Sequence, residues 1–182
     1  MPETESIRAL TGHDAAAWSQ IRLEALDREP AAFGSSAEEH RALPHETVLS
    51  RLAHSPEKFV LGAFHGDRLI GTAGFYRDTS LKGRHKGHVW GVYVTRDFRG
   101  RGIARALMNA LIDRAATVPG LEQILISVAS GQAAAKQLYL SLGFEPFGCE
   151  PRALKMAGLT SMKTTCCSEL PAHPLECGHY FG

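Results

Sequence analysis

The sequence predicts a mixed α/β fold in a single domain, a β-sheet with helices packed against it. Three observations predict it. Apolar runs of strand length alternate along the chain with helical periodicities. One of those runs is apolar on both faces, as in the interior of a sheet. A glycine-rich turn then joins that run to a helix, the connection typical of α/β units.

The elements follow in order. "SIRAL" is a short strand. "HDAAAWSQIRLEALDREP" is a helix, with Ala17, Ile21 and Leu23 to Leu26 at helical spacing and Pro30 as its stop. The turn-rich "AAFGSSAEEH" leads to a weaker helix around "ETVLSRLAH". "KFVLGAF" and "RLIGTAGFY" are β-rich runs joined through "HGD", a hairpin signature. "DTSLKGRHKG" is a polar, basic loop, and "HVWGVYV" is the run apolar on both faces. Ile103, Leu107, Leu111 and Ala115 mark the next helix, which Pro119 and Gly120 end. "QILISV" is a strand, "GQAAAKQLYLSL" a helix stopped by Gly143, and "GFEPFGCEPRALKM" a further strand with turns. No internal repeat or low-complexity segment interrupts the pattern.

Composition narrows the function classes. The 182 residues are enough for one core, and 44% hydrophobic with 21% charged residues is ordinary for a globular protein. A formal net charge of +1 supplies no basic field for nucleic acid. No apolar run reaches membrane-spanning length, and "MPETESIRAL" carries acids where a secretory signal would be basic and then apolar. Three of the four cysteines, Cys166, Cys167 and Cys177, crowd into the last seventeen residues, unlike a disulfide framework. These features lead us to expect a soluble, cytoplasmic protein.

The turn "RGRGIARAL" carries the strongest chemical signal. A strand, a glycine-rich turn and a helix start together present free backbone N–H groups along the helix axis. Glycine lets a phosphate approach that backbone closely, and Arg99, Arg101 and Arg105 add positive charge. A plain surface turn with solvated arginines is the alternative reading. The P-loop pattern fails because Ile103 and Ala104, not Lys and Ser/Thr, follow Gly102. The dinucleotide fingerprint fails because Arg105 stands where a third small residue is needed.

"VYVTRDFRGRGIARALM" resembles the acetyl-CoA motif of the GNAT acetyltransferase superfamily, whose core is Arg/Gln-x-x-Gly-x-Gly/Ala. Here that core runs Arg99, Gly100, Arg101, Gly102, Ile103, Ala104. "QAAAKQLYLSLGF" resembles the family's second motif through Ala135, Leu138, Tyr139, Gly143 and Phe144, with Gln132 in place of the usual Asn. "LEALDREPAAFGSS" is similar to the front of many small members, so the resemblance spans roughly Ile7 to Met156.

The resemblance implies a GNAT-like fold: a central, mostly antiparallel sheet with one parallel splayed strand pair, flanked by helices. It implies acetyl-CoA as co-substrate, no metal, and an N-acetyltransferase moving acetyl to a primary amine of a small molecule or peptide. Neither nucleic acid nor membrane is an expected partner, and a homodimer is compatible with the family. The coenzyme pyrophosphate would lie on the amides of Arg101 to Arg105, and its pantetheine arm would pair with the backbone of Val92 and Val94. Tyr139 is the implied general acid for the leaving thiolate, against the alternative of a ring packed in the core. The glutamate that many relatives use as base has no counterpart in "GHVWGVYV", which leaves His88, His85 in the loop before it, or water, with both histidines as plain exposed loop or edge residues the alternative. The connection between the first two helices would cover the acceptor, with Phe33 as a wall and Glu38 or Glu39 as a counter-charge. The two glutamates equally suit a solvated helix start.

The end of the chain departs from the family. Residues 1–158 form the expected acetyltransferase domain, and 159–182 a divergent, partly ordered tail in place of a final strand. That tail holds three cysteines, His173 and His179, at spacings that match no standard zinc pattern. A non-catalytic acetyl-CoA sensor of the same fold is the competing functional class. An RNA-binding use of the basic loop is disfavoured because that loop lacks interleaved aromatics.

Overall fold

The structure, a computed structural model, describes residues 5–156 and 159–170. Its strands are β1 (Glu5–Ala9), β2 (Lys58–His65), β3 (Arg68–Arg77), β4 (Lys86–Val94), β5 (Gln123–Ala129), β6 (Glu145–Met156) and β7 (Leu159–Glu169). Its α-helices are α1 (Ala15–Arg28), α2 (Ala37–Arg41), α3 (His45–Leu52), α4 (Ile103–Ala116) and α5 (Ala133–Ser141). The strands form one sheet in the order β1-β2-β3-β4-β5-β7-β6. Every neighbouring pair is antiparallel except β4 and β5. This is the mixed fold that the sequence elements predict, with the one parallel pair that the family resemblance implies.

Local chemistry explains the elements. The first helix is tied to β1 by Arg8, which donates to both carboxylate oxygens of Asp14 at 2.9 and 2.7 Å. That bidentate contact holds the Asp14 carboxyl down at about 2. α2 opens on a capping box: Ser36 accepts from the Glu39 amide at 3.1 Å, and Glu39 accepts from the Ser36 amide at 2.7 Å.

Two apolar layers flank the sheet. On one face α4 buries Ile103, Leu107, Met108, Leu111 and Ala115, at i, i+4 spacing, among Phe75, Val89, Ile124 and Ile126. Tyr139 and Phe144 join that layer. On the other face α1 and α3 bury Trp18, Ile21, Val48 and Leu52 against Val60, Leu69 and Tyr93. Gly74 matters here, because a Cβ on it would meet Trp90 Cε2 at 2.4 Å. Its absence lets the Trp90 indole lie across β3 and reach Trp18, ring centroids 6.2 Å apart.

The boundary expected after Gly158 is corrected. Leu159–Glu169 is not a divergent tail but β7, inserted between β5 and β6, with Gln123 to Ala129 opposite Glu169 to Lys163. Alternation explains it: Cys166 is fully buried while Thr165 and Cys167 on either side are partly exposed. The cysteines obscured that pattern in the sequence, although a free cysteine packs as a small hydrophobe. Cys177, His173 and His179 lie outside the described residues.

If β7 completes the sheet, truncation after Gly158 strips β5 of its antiparallel partner and exposes Ile124, Ile126 and Val128. The truncated chain should lose its cooperative thermal transition by circular dichroism. A transition at the wild-type midpoint would show that β7 is dispensable.

Candidate active site

The site begins with a break in sheet pairing. β4 and β5 pair from Lys86↔Gln123 to Val89↔Ile126, and no further. At that point the β3 register changes: Trp90 faces Gly74 and Tyr93 faces Thr72, so Gly91 and Val92 together oppose Ala73. This is a β-bulge, and Gly91 has φ +63°, which a side chain would strain. The bulge bends β4 where it leaves β5. A cleft of about 770 Å³ opens between the strands, lined from both layers.

One end of the cleft lies at the start of α4. Gly100 and Gly102 have φ of +76° and +81°, and nothing lies within 4 Å of where a Cβ on either would sit. Conformation rather than crowding therefore demands glycine there. The first helical bond runs from the Ala106 N–H to the Gly102 carbonyl at 3.0 Å. The amides of Ile103, Ala104 and Arg105 precede it and have no intrahelical acceptor. Gly100, Gly102, Ile103 and Ala104 line the cleft, so its wall carries the positive end of a fourteen-residue helix. The Arg101 and Arg105 side chains turn elsewhere, Arg101 Nη2 donating to the Asp97 carbonyl at 3.1 Å and Arg105 Nη2 to Ser141 at 2.8 Å. Neither Arg101 nor Arg105 is among the residues that line the cleft.

A charged bridge crosses beside this end. Arg99 Nε donates to the Val94 carbonyl at 3.0 Å and Arg99 Nη1 to Glu29 Oε1 at 2.9 Å. The other Glu29 oxygen accepts from Gln132 Nε2 at 3.3 Å. Arg99 holds the Glu29 carboxyl below its ordinary range, and Gln132 adds to the effect. Three segments far apart in sequence meet there: the end of α1, the end of β4 and the start of α5.

Deeper in, Val92 and Val94 line the cleft from β4, and Leu138 and Tyr139 from α5. Tyr139 is 6% exposed, and its hydroxyl has no hydrogen-bond partner among the described residues. Burial, with the neighbouring Cys166, pushes its phenol well above the usual range, so it stays protonated.

The opposite end of the cleft belongs to the α1 face. His88 Nε2 lies 3.1 Å from Asp78 Oδ2, and its ring stacks on Tyr76 at 4.9 Å. Phe33 is a wall of the cleft, with the Arg22 guanidinium 4.6 Å from its ring centre. Arg22 is buried, its Nε and Nη1 have no partner, and burial beside Arg51 brings it down to about 10. Glu38 is corrected: it does not line the cleft but projects from the first turn of α2 into solvent. The capping box dictates this, because it turns Glu39 back onto Ser36. No group of three or more potential metal-ligating side chains comes together among the described residues.

Sequence reading missed Arg22, Glu29 and Asp78. Arg22 did leave a signal: with Trp18 and Leu26 it recurs every four residues along the buried stripe of α1, where a cation is out of place. Glu29 and Asp78 left none, since only the tertiary fold brings them to Arg99 and His88.

The sheet is thus mostly antiparallel and opens at its parallel pair, with a helix N-terminus at the opening. The profile of the Acetyltransferase (GNAT) family matches residues 18–144, and the chain belongs to that family. An acetyltransferase of Streptococcus pneumoniae superposes with a TM-score of 0.82 at 20% identity, covering 92% of this chain and all of the other. A Salmonella typhimurium structure that contains its cofactor acetyl-CoA superposes at 0.81 with 23% identity, covering 97% and 99%. In sequence, the L-methionine sulfoximine/L-methionine sulfone acetyltransferase of Pseudomonas aeruginosa is 43% identical over 61 residues. That segment is 34% of this chain and spans about a third, 35%, of the relative. An acetyltransferase of Pectobacterium atrosepticum is 28% identical over 106 residues, 58% of this chain and 70% of that one.

The Glu29 bridge predicts a pH signature. Its folded-state pKa is depressed, so its stabilisation is present above the unfolded value near 4.3 and drains as pH falls through the folded one. The pair is partly exposed, so its worth is about 0.5–1 kcal/mol. Thermal melts of Glu29→Gln should therefore fall below wild type at pH 7 and converge with it once the pH has dropped through the depressed pKa. A gap that stays constant as the pH is lowered would remove the ion pair as its cause.

Proposed function

We propose that the chain is an acetyl-CoA-dependent N-acetyltransferase that moves acetyl to a primary amine of a small molecule or peptide by direct attack in a ternary complex. The observation that carries this reading is the opening of the sheet after Val89 and Ile126, with the Gly91 bulge on its wall and the free amides of α4 at its end. Family membership, the acetyl-CoA in the Salmonella structure and the activity named for the Pseudomonas relative support it.

The residues present fit the coenzyme. The left-handed glycines with open space above them, and the amides of Ile103, Ala104 and Arg105, suit a pyrophosphate. Gln132 and Arg99 stand beside that cradle. Val92, freed from strict register by the bulge, would offer its backbone to the pantetheine arm; the Val94 carbonyl shares its acceptor capacity with Arg99. The bound coenzyme supplies an activated acetyl group and a sulfur leaving group. The Val92 N–H is the donor for charge that builds on the acetyl oxygen as the amine attacks.

Two side chains move protons in this reading. The Tyr139 hydroxyl is the acid for the departing sulfur. Burial raises this phenol, so it carries its proton when the sulfur departs. His88 takes the amine proton, directly or through water. With Nε2 on Asp78, Nδ1 is left for that task.

Release of free thiol from acetyl-CoA across a panel of amines tests the proposal. Acetyl-CoA binding without thiol release from any amine would instead favour a sensor. With a confirmed acceptor, Tyr139→Phe should keep coenzyme affinity and lose about a hundredfold to ten-thousandfold in kcat. A rate within about threefold of wild type, with chemistry limiting, ends the acid assignment.

His88→Ala should lose rate near neutral pH and regain part of it at alkaline pH, where the amine deprotonates unaided. Superimposable pH profiles for variant and wild type would return His88 to an orienting or packing role.

A further inference from the structure

Arg22 is a charged group without a partner in a place that does not tolerate one. It is 6% exposed, Nε and Nη1 are sealed from solvent, and neither makes a hydrogen bond. A cation held this way is destabilising unless an anion joins it. Glu24, an acid on its own helix, is already engaged: it accepts from the Tyr93 hydroxyl at 3.0 Å and lies 3.7 Å from Arg28. The face of Phe33 lies 4.6 Å from the guanidinium carbon and steadies its plane, and both side chains line the cleft.

We propose that Arg22 is the anchor for a carboxylate on the acceptor, and that the acceptor is a free α-amino acid or a close analogue of one. The inference rests on the acetyltransferase reading of the same cleft and names the class of amine it takes. Its geometric basis is the position of the guanidinium relative to the bulge. A Cβ built on Gly91 would lie 3.8 Å from Arg22 Nη1, so the anchor sits directly beside the strand segment that presents the acetyl group. A carboxylate held there suits a substrate whose amine lies a short link away, beside that strand segment. An α-amino acid has such a link, one carbon.

The alternatives fit worse on charge. Polyamines and aminoglycosides bring only positive charge to a buried cation in a low-dielectric wall. A peptide N-terminus has a neutral amide where the guanidinium wants an anion. With Nε and Nη1 sealed, Nη2 is the guanidinium nitrogen open to a ligand in the cleft, and a charge-assisted hydrogen bond from it is what a carboxylate gains there. The indole of Trp90 and the ring of Phe33 leave an apolar wall for an amino-acid side chain.

The test uses the purified full chain, acetyl-CoA, and proteinogenic L-amino acids each paired with its α-carboxamide. For the acids that are turned over, kcat/KM should exceed that of the matching amide by about thirtyfold or more, the scale of one desolvated charge pair. Arg22→Gln should erase that preference, mainly through KM, while Arg22→Lys keeps part of it. Equal turnover of acid and amide by wild type, or a preference that survives in folded Arg22→Gln, overturns the proposal. Should Arg22→Gln fail to fold by circular dichroism, the wild-type ratio and Arg22→Lys decide alone. Should no amine of either kind release thiol, the acetyl-transfer reading has failed, and calorimetry with coenzyme A bound judges the anchor separately. Binding of the acids but not the amides to wild type then supports it, and binding of neither overturns it.

Discussion

The parting of β4 from β5 is the constraint on which the rest of this structure depends. Parallel strands buried in a sheet normally pair along their length, because an unpaired peptide group in the interior is expensive. Here the pairing stops at Val89 and Ile126, and the cause lies within β4 itself. The extra residue at Gly91 and Val92 shifts the β3 register and swings the strand away from β5. The molecule thereby acquires a slot through its sheet instead of a pocket on its surface. Groups from the α4 and α5 layer and groups from the α1 layer face each other across that slot.

Two consequences follow from a slot with two mouths. Each mouth has its own electrostatics: backbone N–H dipoles and the Arg99, Glu29 and Gln132 bridge on one side, the Arg22 guanidinium on the other. Sheet continuity must also be restored beyond the slot, or β5 would be an edge with a gap on one side and water on the other. β7 and β6 provide that continuity. Cys166 on β7 is buried against the layer that holds Tyr139, so the last hairpin also forms part of the wall behind the phenol.

The elements that periodicity could reveal were legible in the sequence. The apolar stripe of α4, the doubly apolar β4 and the hairpin at Gly66 and Asp67 all rest on neighbours close in sequence. The left-handed glycines of the α4 turn were legible because no other residue takes that backbone freely. β7 was not, since alternation written in threonine and cysteine does not read as a hydrophobic strand. Glu38 was misplaced because an acid in a first turn has a local role, and here that role is solvated. Arg22 was visible only as an inconsistency, a cation on the buried side of an amphipathic helix, and Glu29 and Asp78 not at all. Charge networks joining residues 70 and 103 positions apart, as Arg99 and Gln132 do with Glu29, leave no local trace.

His40 completes the electrostatic argument about the α1 mouth. It is 6% exposed, it stacks edge-on against Trp18 at 5.5 Å, and its Nε2 is buried without a partner. Burial pushes its pKa down, and the positive charges of Arg22 and Arg51 push it further the same way. A histidine that begins near 6.5 and is lowered is neutral at pH 7. Arg22, even at about 10, keeps its proton there. Of these two buried groups only the arginine is charged at pH 7, and the histidine yields to it. A second buried cation would bring repulsion that a monoanion could not fully offset. Arg22 is thus the charged member of this buried pair at the α1 mouth, with the positive charge of Arg51 acting on both.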